Sequence, residues 1–225
     1  MPVGLPPIPS LGDDDPYHDP GGTDLVTLLL DEHRAIERLR AALAVETDPQ
    51  RRRTMSDVLV AMISRHLSAE EQYLYPAVRA ALPDTGAELA RAAVDIDLQM
   101  HATLADGPIE VGHGRDEIHD VWRRHIDITE RDLIPQLQTA ATAEELIRLG
   151  NRAAIAEEAA PTRPHPRAPA SPPWNRVAAP ALGLLDKVRD LVGGRKTYPE
   201  DLPTPTGEPP APLDPTPPAP DGASR

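Results

Sequence analysis

At 225 residues and without a single cysteine, the chain has room for one ordinary domain plus flanking segments, and disulfides, thiolate nucleophiles and cysteine-held metal clusters are excluded. Its formal charge of −13 speaks against nucleic acid as a partner, because a phosphate backbone asks for a cationic stripe. Any metal must be held by nitrogen and oxygen.

Residues 1–22 carry six of the 28 prolines together with Asp13-Asp14-Asp15 and Gly21-Gly22, and are expected to be a disordered N-terminal segment. They lack the basic and apolar regions of a signal peptide, and no later apolar run approaches the about 20 residues of a membrane span, so a cytoplasmic location is expected. The excess of arginine over lysine suggests a GC-rich bacterial genome. Thr23 or Asp24 caps a first predicted helix to about residue 44, with Leu25, Leu29, His33, Ile36, Leu39 and Leu43 on one stripe. Asp48-Pro49 opens a second, to about 81, with Leu59, Met62, Ile63, His66, Glu70, Tyr73 and Leu74 inward; Pro76 should bend or break it. Its basic start, Arg51-Arg52-Arg53, reads as solvated surface. A third helix over about 84–106 turns Leu89, Ala93, Ile96, Asp97, Met100, His101 and Leu104 inward and stops at Gly107-Pro108. A fourth, about 114–137, offers Ile118, Val121, Trp122, His125, Thr129 and Leu133, with Pro135 near its end, and a shorter fifth follows over about 142–158. The compact unit is thus expected at 23–160, where 15 arginines face 25 acidic residues. The remainder, 161–225, holds seventeen prolines and reads as a Pro-rich disordered tail with a brief amphipathic helix near 181–192, able to recruit a protein partner.

Four histidines, His33, His66, His101 and His125, therefore occupy apolar positions of four separate helices. An imidazole in such a place needs a partner for each ring nitrogen, and a bound cation satisfies several rings at once. An internal repeat reinforces the pattern: His66, Glu71, Leu74 and Pro76 align without gaps on His125, Glu130, Leu133 and Pro135 at an offset of 59 residues. Two hairpins that each give one upstream histidine and one His/Glu pair make an approximately two-fold bundle, suited to a pair of metal ions. Glu70 follows His66 by four residues, about 40° round the helix, so both point into one cavity. Glu130 follows His125 by five, about 140° round, and competes with a surface role beside Arg123 or Arg131. Glu37 follows His33 by four, but Arg34, Arg38 and Arg40 can hold it outside. Glu71 is a candidate alternate or supporting ligand, and Tyr73 and Tyr75 suit packing or hydrogen bonding near the box.

With these boxes in this order, residues 24–137 resemble the hemerythrin-like, or HHE cation-binding, family. The resemblance rests on His33 in its Asp-Glu-His-Arg setting, on His66-x3-Glu70-Glu71 running into Leu-Tyr-Pro, on Met100-His101, and on His125 ahead of Glu130 and Pro135. It implies an all-α, up-and-down four-helix bundle around two non-heme irons, bridged by a carboxylate from each of the second and fourth helices and by an oxo or hydroxo group. His33, His66, His101 and His125 would then be terminal ligands and Glu70 and Glu130 bridges. One departure is Asp97, which stands four residues before His101 where oxygen-carrying hemerythrins have a second histidine. A carboxylate ligand there would favour oxidised iron over simple reversible O2 carriage. The expected function is a di-iron protein that binds or senses O2, NO or peroxide, or handles iron. The alternatives are a di-iron catalase- or peroxidase-like enzyme and a metal-free helical scaffold acting through its tail.

Overall fold

The computed structural model describes residues 21–105, 113–163, 186, 190 and 195–202, with the side chains of 113–116 and 201 excepted. Helix α1 (Leu25–Val45) starts where the Asp24 carboxylate accepts from Thr27 N at 3.0 Å, and α2 (Pro49–Ala69) where Asp48 accepts from Arg51 N at 2.7 Å. Each cap satisfies an otherwise orphaned amide. Two arginines of the basic run have a structural use: Arg51 Nε reaches Glu46 at 2.9 Å, and Arg52 Nη1 reaches the Glu46 carbonyl at 2.8 Å, which ties the end of α1 to the start of α2.

The second predicted helix is one rod with a fault in it. Beyond α2, residues Glu70–Leu74 form a π turn that runs on into α3 (Tyr75–Ala81), and Tyr75 N bonds back to Glu70 O, five residues earlier. Pro76 therefore neither ends nor sharply breaks the helix. Its missing amide falls beside a widened turn that already departs from the ordinary ladder. The third rod is α4 (Gly86–Ala105). The fourth repeats the second: α5 (His113–Ile128), a π turn at Thr129–Leu133, and α6 (Ile134–Ala140) with Pro135 in its first turn. The two π turns fall at the same 59-residue offset as the sequence repeat. A fifth rod, α7 (Ala143–Ala159), opens with a capping box between Thr142 and Glu145 and packs on α1 and α2.

The four long rods form an all-α, up-and-down bundle whose core is in two parts. One apolar cluster, with Leu25, Leu29, Leu74, Val78, Leu133, Leu137 and Leu149, fills the end nearest α7. The other, with Ile36, Leu59, Ile63, Met100, Val121 and Trp122, fills the opposite end. His33, His66 and His125 lie in sequence between contributors to the two clusters, and all three are buried. The polar layer is thus closed off above and below by hydrocarbon.

The expected tail helix near 181–192 lies outside the described residues except for Asp186 and Asp190, both helical and buried. Asp190 takes the Thr162 hydroxyl and, at 2.5 Å, the Arg163 guanidinium. Residues 195–202 return to α2: Arg195 Nε meets Asp57 at 2.9 Å, the Thr197 carbonyl accepts from Arg65 Nη2 at 2.6 Å, and the Arg65 guanidinium lies 4.5 Å from the centre of the Tyr198 ring.

Gly150 sets the approach of α7 to the start of α1, since an added Cβ would lie 2.1 Å from Thr23 O and 2.7 Å from Leu25 N. Alanine would gain about 1 kcal/mol of helix propensity, but overpacking against backbone costs up to about 3 kcal/mol. Gly150→Ala is expected to destabilise the fold by about 2 kcal/mol, read as a lower urea midpoint at unchanged slope; an unchanged or raised midpoint would show that α7 is free to move away.

Candidate metal centre

α1, α2 and α5 each turn one imidazole to the same point. His33 Nε2 and His66 Nε2 are 2.9 Å apart, and His66 Nε2 and His125 Nε2 are 3.3 Å apart. Glu70, at the start of the first π turn, completes the group. Its Oε1 lies 3.9 Å from His33 Nε2 and 3.5 Å from His66 Nε2, and its Oε2 lies 3.4 Å from His125 Nε2. All four side chains are buried, and their ligand atoms lie within 4.8 Å of one another.

What these nitrogens carry is settled on the far side of each ring. His33 Nδ1 is 2.8 Å from Glu130, His66 Nδ1 is 2.7 Å from Glu32, and His125 Nδ1 is 3.0 Å from Asp97. An ionised carboxylate only accepts, so each Nδ1 donates its proton outward and each Nε2 is left as the atom that faces the centre. Three such atoms converge on one small volume. Glu70 Oε1 is buried there and has no hydrogen-bond partner among the described residues. Such a set repels itself unless a cation lies between its members, which is the test a metal-binding site should pass.

The remaining walls are aromatic. Trp122 stacks on His125 with ring centres 4.9 Å apart and planes 19° apart, and meets the His33 and His66 rings edge-on at 5.5 and 5.8 Å. It excludes water from that side. The Tyr75 hydroxyl lies 2.8 Å from Glu70 Oε2 and 2.5 Å from Asp97 Oδ2, because the π turn brings residue 75 back over residue 70.

The charge states follow from burial. Loss of solvent holds His33 and His66 well below the ordinary imidazole range, and their neighbouring imidazoles push the same way. Burial also pushes the Glu70 carboxyl up to about 8, with Asp97 adding to the rise against the pull of His125. For His125 itself burial opposes the charge, but Glu70 and Asp97 outweigh it and raise the imidazole. Farther out, burial and a shared hydrogen bond with Glu32 push Glu157 up to about 10, and Arg65 is the nearby cation.

Of the residues singled out from sequence, the structure gathers His33, His66, Glu70 and His125. Glu130 stands outside the ring of ligands, on His33 Nδ1, with 37% of its side chain exposed. Asp97 likewise bonds the outer nitrogen of His125. His101 pairs with Glu71 at 3.7 Å and does not join the group. Glu37 faces outward to Arg40 at 2.7 Å. Glu32 and Trp122 were not anticipated as parts of the site. The Glu32-His33 dipeptide gives no hint that the glutamate serves the histidine of another helix, and Trp122 on an apolar stripe looks like ordinary core.

Comparison with known proteins agrees with the geometry. The family model of the hemerythrin HHE cation binding domain matches residues 24–137. An uncharacterised hemerythrin-like protein of Schizosaccharomyces pombe is 27% identical over 136 residues, covering 58% of this chain and 67% of that protein. The crystal structure of a hemerythrin HHE cation binding domain-containing protein from Mycobacterium kansasii superposes with a TM-score of 0.53 at 25% identity, covering 61% of this chain and 86% of that one. A bundle of this topology, with histidines from three of its rods turned on one carboxylate and a family model that spans half of the sequence, places the chain in the hemerythrin HHE cation-binding family.

Proposed function

We propose that the protein is a non-heme iron protein of the cytoplasm that binds O2, NO or peroxide at the His33/His66/His125/Glu70 centre, as a sensor, store or scavenger. The observation that carries this reading is the convergence of three Nε2 atoms on a buried Glu70 oxygen that has no hydrogen-bond partner among the described residues. Nitrogen and oxygen donors of this kind suit iron, and bound iron would supply a redox-active Lewis acid able to take a small ligand. The chain's own residues do the rest. Glu32, Glu130 and Asp97 fix the imidazole tautomers and orientations, and Trp122 keeps water from one face of the site. The Tyr75 hydroxyl, set between Glu70 and Asp97, holds both carboxyls in place beside the centre. Among the described residues no helix is long and apolar enough to cross a membrane.

Protein purified from iron-supplemented cells is expected to contain iron and to absorb in the near-ultraviolet and visible, with a spectrum that changes on adding NO. Metal at a thousandfold excess over its dissociation constant stabilises by about 4 kcal/mol, so loading should raise Tm by about 10 °C. Metal-free protein with the same Tm after iron addition would overturn the reading. Peroxide removal no faster than by an equal amount of free iron assigns a binding role; faster turnover assigns the peroxide-consuming enzyme.

The metal-free protein should also show a definite pH dependence. Glu70 and Glu157 have folded values raised to about 8 and about 10, so above the ordinary carboxyl range the folded state holds protons that the unfolded chain releases. Stability is then lost as pH rises. His33 and His66 act oppositely, but only below the ordinary imidazole value near 6.5. From pH 7 to 9, urea midpoints of chelator-treated protein are expected to fall, and Glu157→Gln to flatten the slope; a midpoint rising over that interval contradicts the assignment.

A further inference from the structure

We infer that the centre is built for a single divalent cation, held by Nε2 of His33, His66 and His125 and by Glu70, and that this chain does not furnish the second of the two ion positions implied by its family resemblance. The inference rests on the metal-binding reading above and adds its stoichiometry.

Distances between ligand atoms decide the matter. An ion bound tetrahedrally at about 2.0–2.1 Å has ligand atoms about 3.3 Å from one another. The separations are 2.9 and 3.3 Å from His66 Nε2 to those of His33 and His125, 3.4 to 3.9 Å from the three nitrogens to Glu70, and the whole set lies within 4.8 Å. Two ions bridged by one carboxylate lie about 3.5–4 Å apart, and their terminal ligands, which point away from each other, lie farther apart still. His66 and His125, which a two-ion arrangement would assign to different ions, have Nε2 atoms only 3.3 Å apart. They form an edge of one polyhedron.

Of the groups that would complete a second polyhedron, Asp97, Glu130 and Glu70 are engaged elsewhere, and His101 stands apart with Glu71. Asp97 spends Oδ1 on His125 Nδ1 and Oδ2 on the Tyr75 hydroxyl. Glu130 is on His33 Nδ1, and on that side of the ring a carboxylate steers the imidazole without reaching what Nε2 binds. His101 faces Glu71. Tyr75 lies against Glu70 Oε2, the oxygen that would have to turn to a second ion. Among the described residues no other cluster of three or more histidine, aspartate and glutamate side chains converges as this one does.

The full-length protein, stripped with a chelator and titrated anaerobically with Fe2+, should retain one iron per chain after gel filtration, by elemental analysis. His101→Ala should keep that ratio, and His66→Ala and His125→Ala should each weaken binding by at least about 100-fold, beyond what loss of a supporting residue does. After oxidation, the paramagnetic resonance signal of an isolated ferric ion should integrate to all the bound iron. Two irons per chain, a fall from two to one in His101→Ala, or a spin-coupled and therefore silent oxidised state would overturn the single-ion inference while leaving metal binding intact. Retention of neither iron nor, in a parallel titration, zinc would overturn the metal-binding reading itself and this inference with it.

Discussion

Three inward-facing imidazole nitrogens and a carboxyl oxygen, set against one another in a water-poor interior, form the constraint around which the bundle is arranged. Hydrocarbon cannot satisfy them, and they satisfy one another only in part, because each Nδ1 proton is committed to Glu32, Glu130 or Asp97 on the far side of its ring and the metal-free cluster shares only what proton Glu70 and His125 retain. Those outer carboxylates come from α1, from the second π turn and from α4, so each rod of the four-rod bundle contributes either to the ring of inner donors or to its support. Packing the helices and orienting the imidazoles are one event. The apolar clusters on either side make the polar layer costly to leave unfilled, and so make a cation's contribution to stability correspondingly large.

The electrostatics extend this arrangement outward. Glu32 touches His66 on one side and shares a hydrogen bond with Glu157 of α7 on the other, next to the buried Arg65 guanidinium. Arg65 in turn is held by the Thr197 carbonyl and the Tyr198 ring. The fifth rod and residues 195–202 therefore connect with the centre through charge and hydrogen bonding, although neither supplies an inner donor.

Much of this was legible in the chain. The helix starts at Asp24, Asp48 and Thr142 follow from capping chemistry. The buried stripes through His33, His66 and His125 follow from 3.6-residue periodicity, and Glu70 from its four-residue spacing to His66. Less legible was anything that depends on rotation at the π turns. A wheel drawn with ordinary pitch cannot show that Tyr75 returns to Glu70, because the extra residue per turn shifts every later side chain. The roles of Asp97, His101 and Glu130 turn on which side of a ring a carboxylate meets, or on which neighbouring rod a side chain finds. Those are facts of tertiary packing for which spacing along one helix carries no signal.

The two widened turns have a bearing on how this chain can vary. Each holds one residue more than a regular turn, so a single residue removed from Glu70–Leu74 would let the rod relax to ordinary pitch with Val78 and the rest of α3 kept near their present partners, whereas the same deletion within α2 would swing everything beyond by about 100°. The same holds for Thr129–Leu133, beyond which Ile134 and Leu137 would keep their places in the core. At both places the rods tolerate a change of spacing that their regular stretches refuse: these two turns are where the bundle can lose a residue without re-sorting its core.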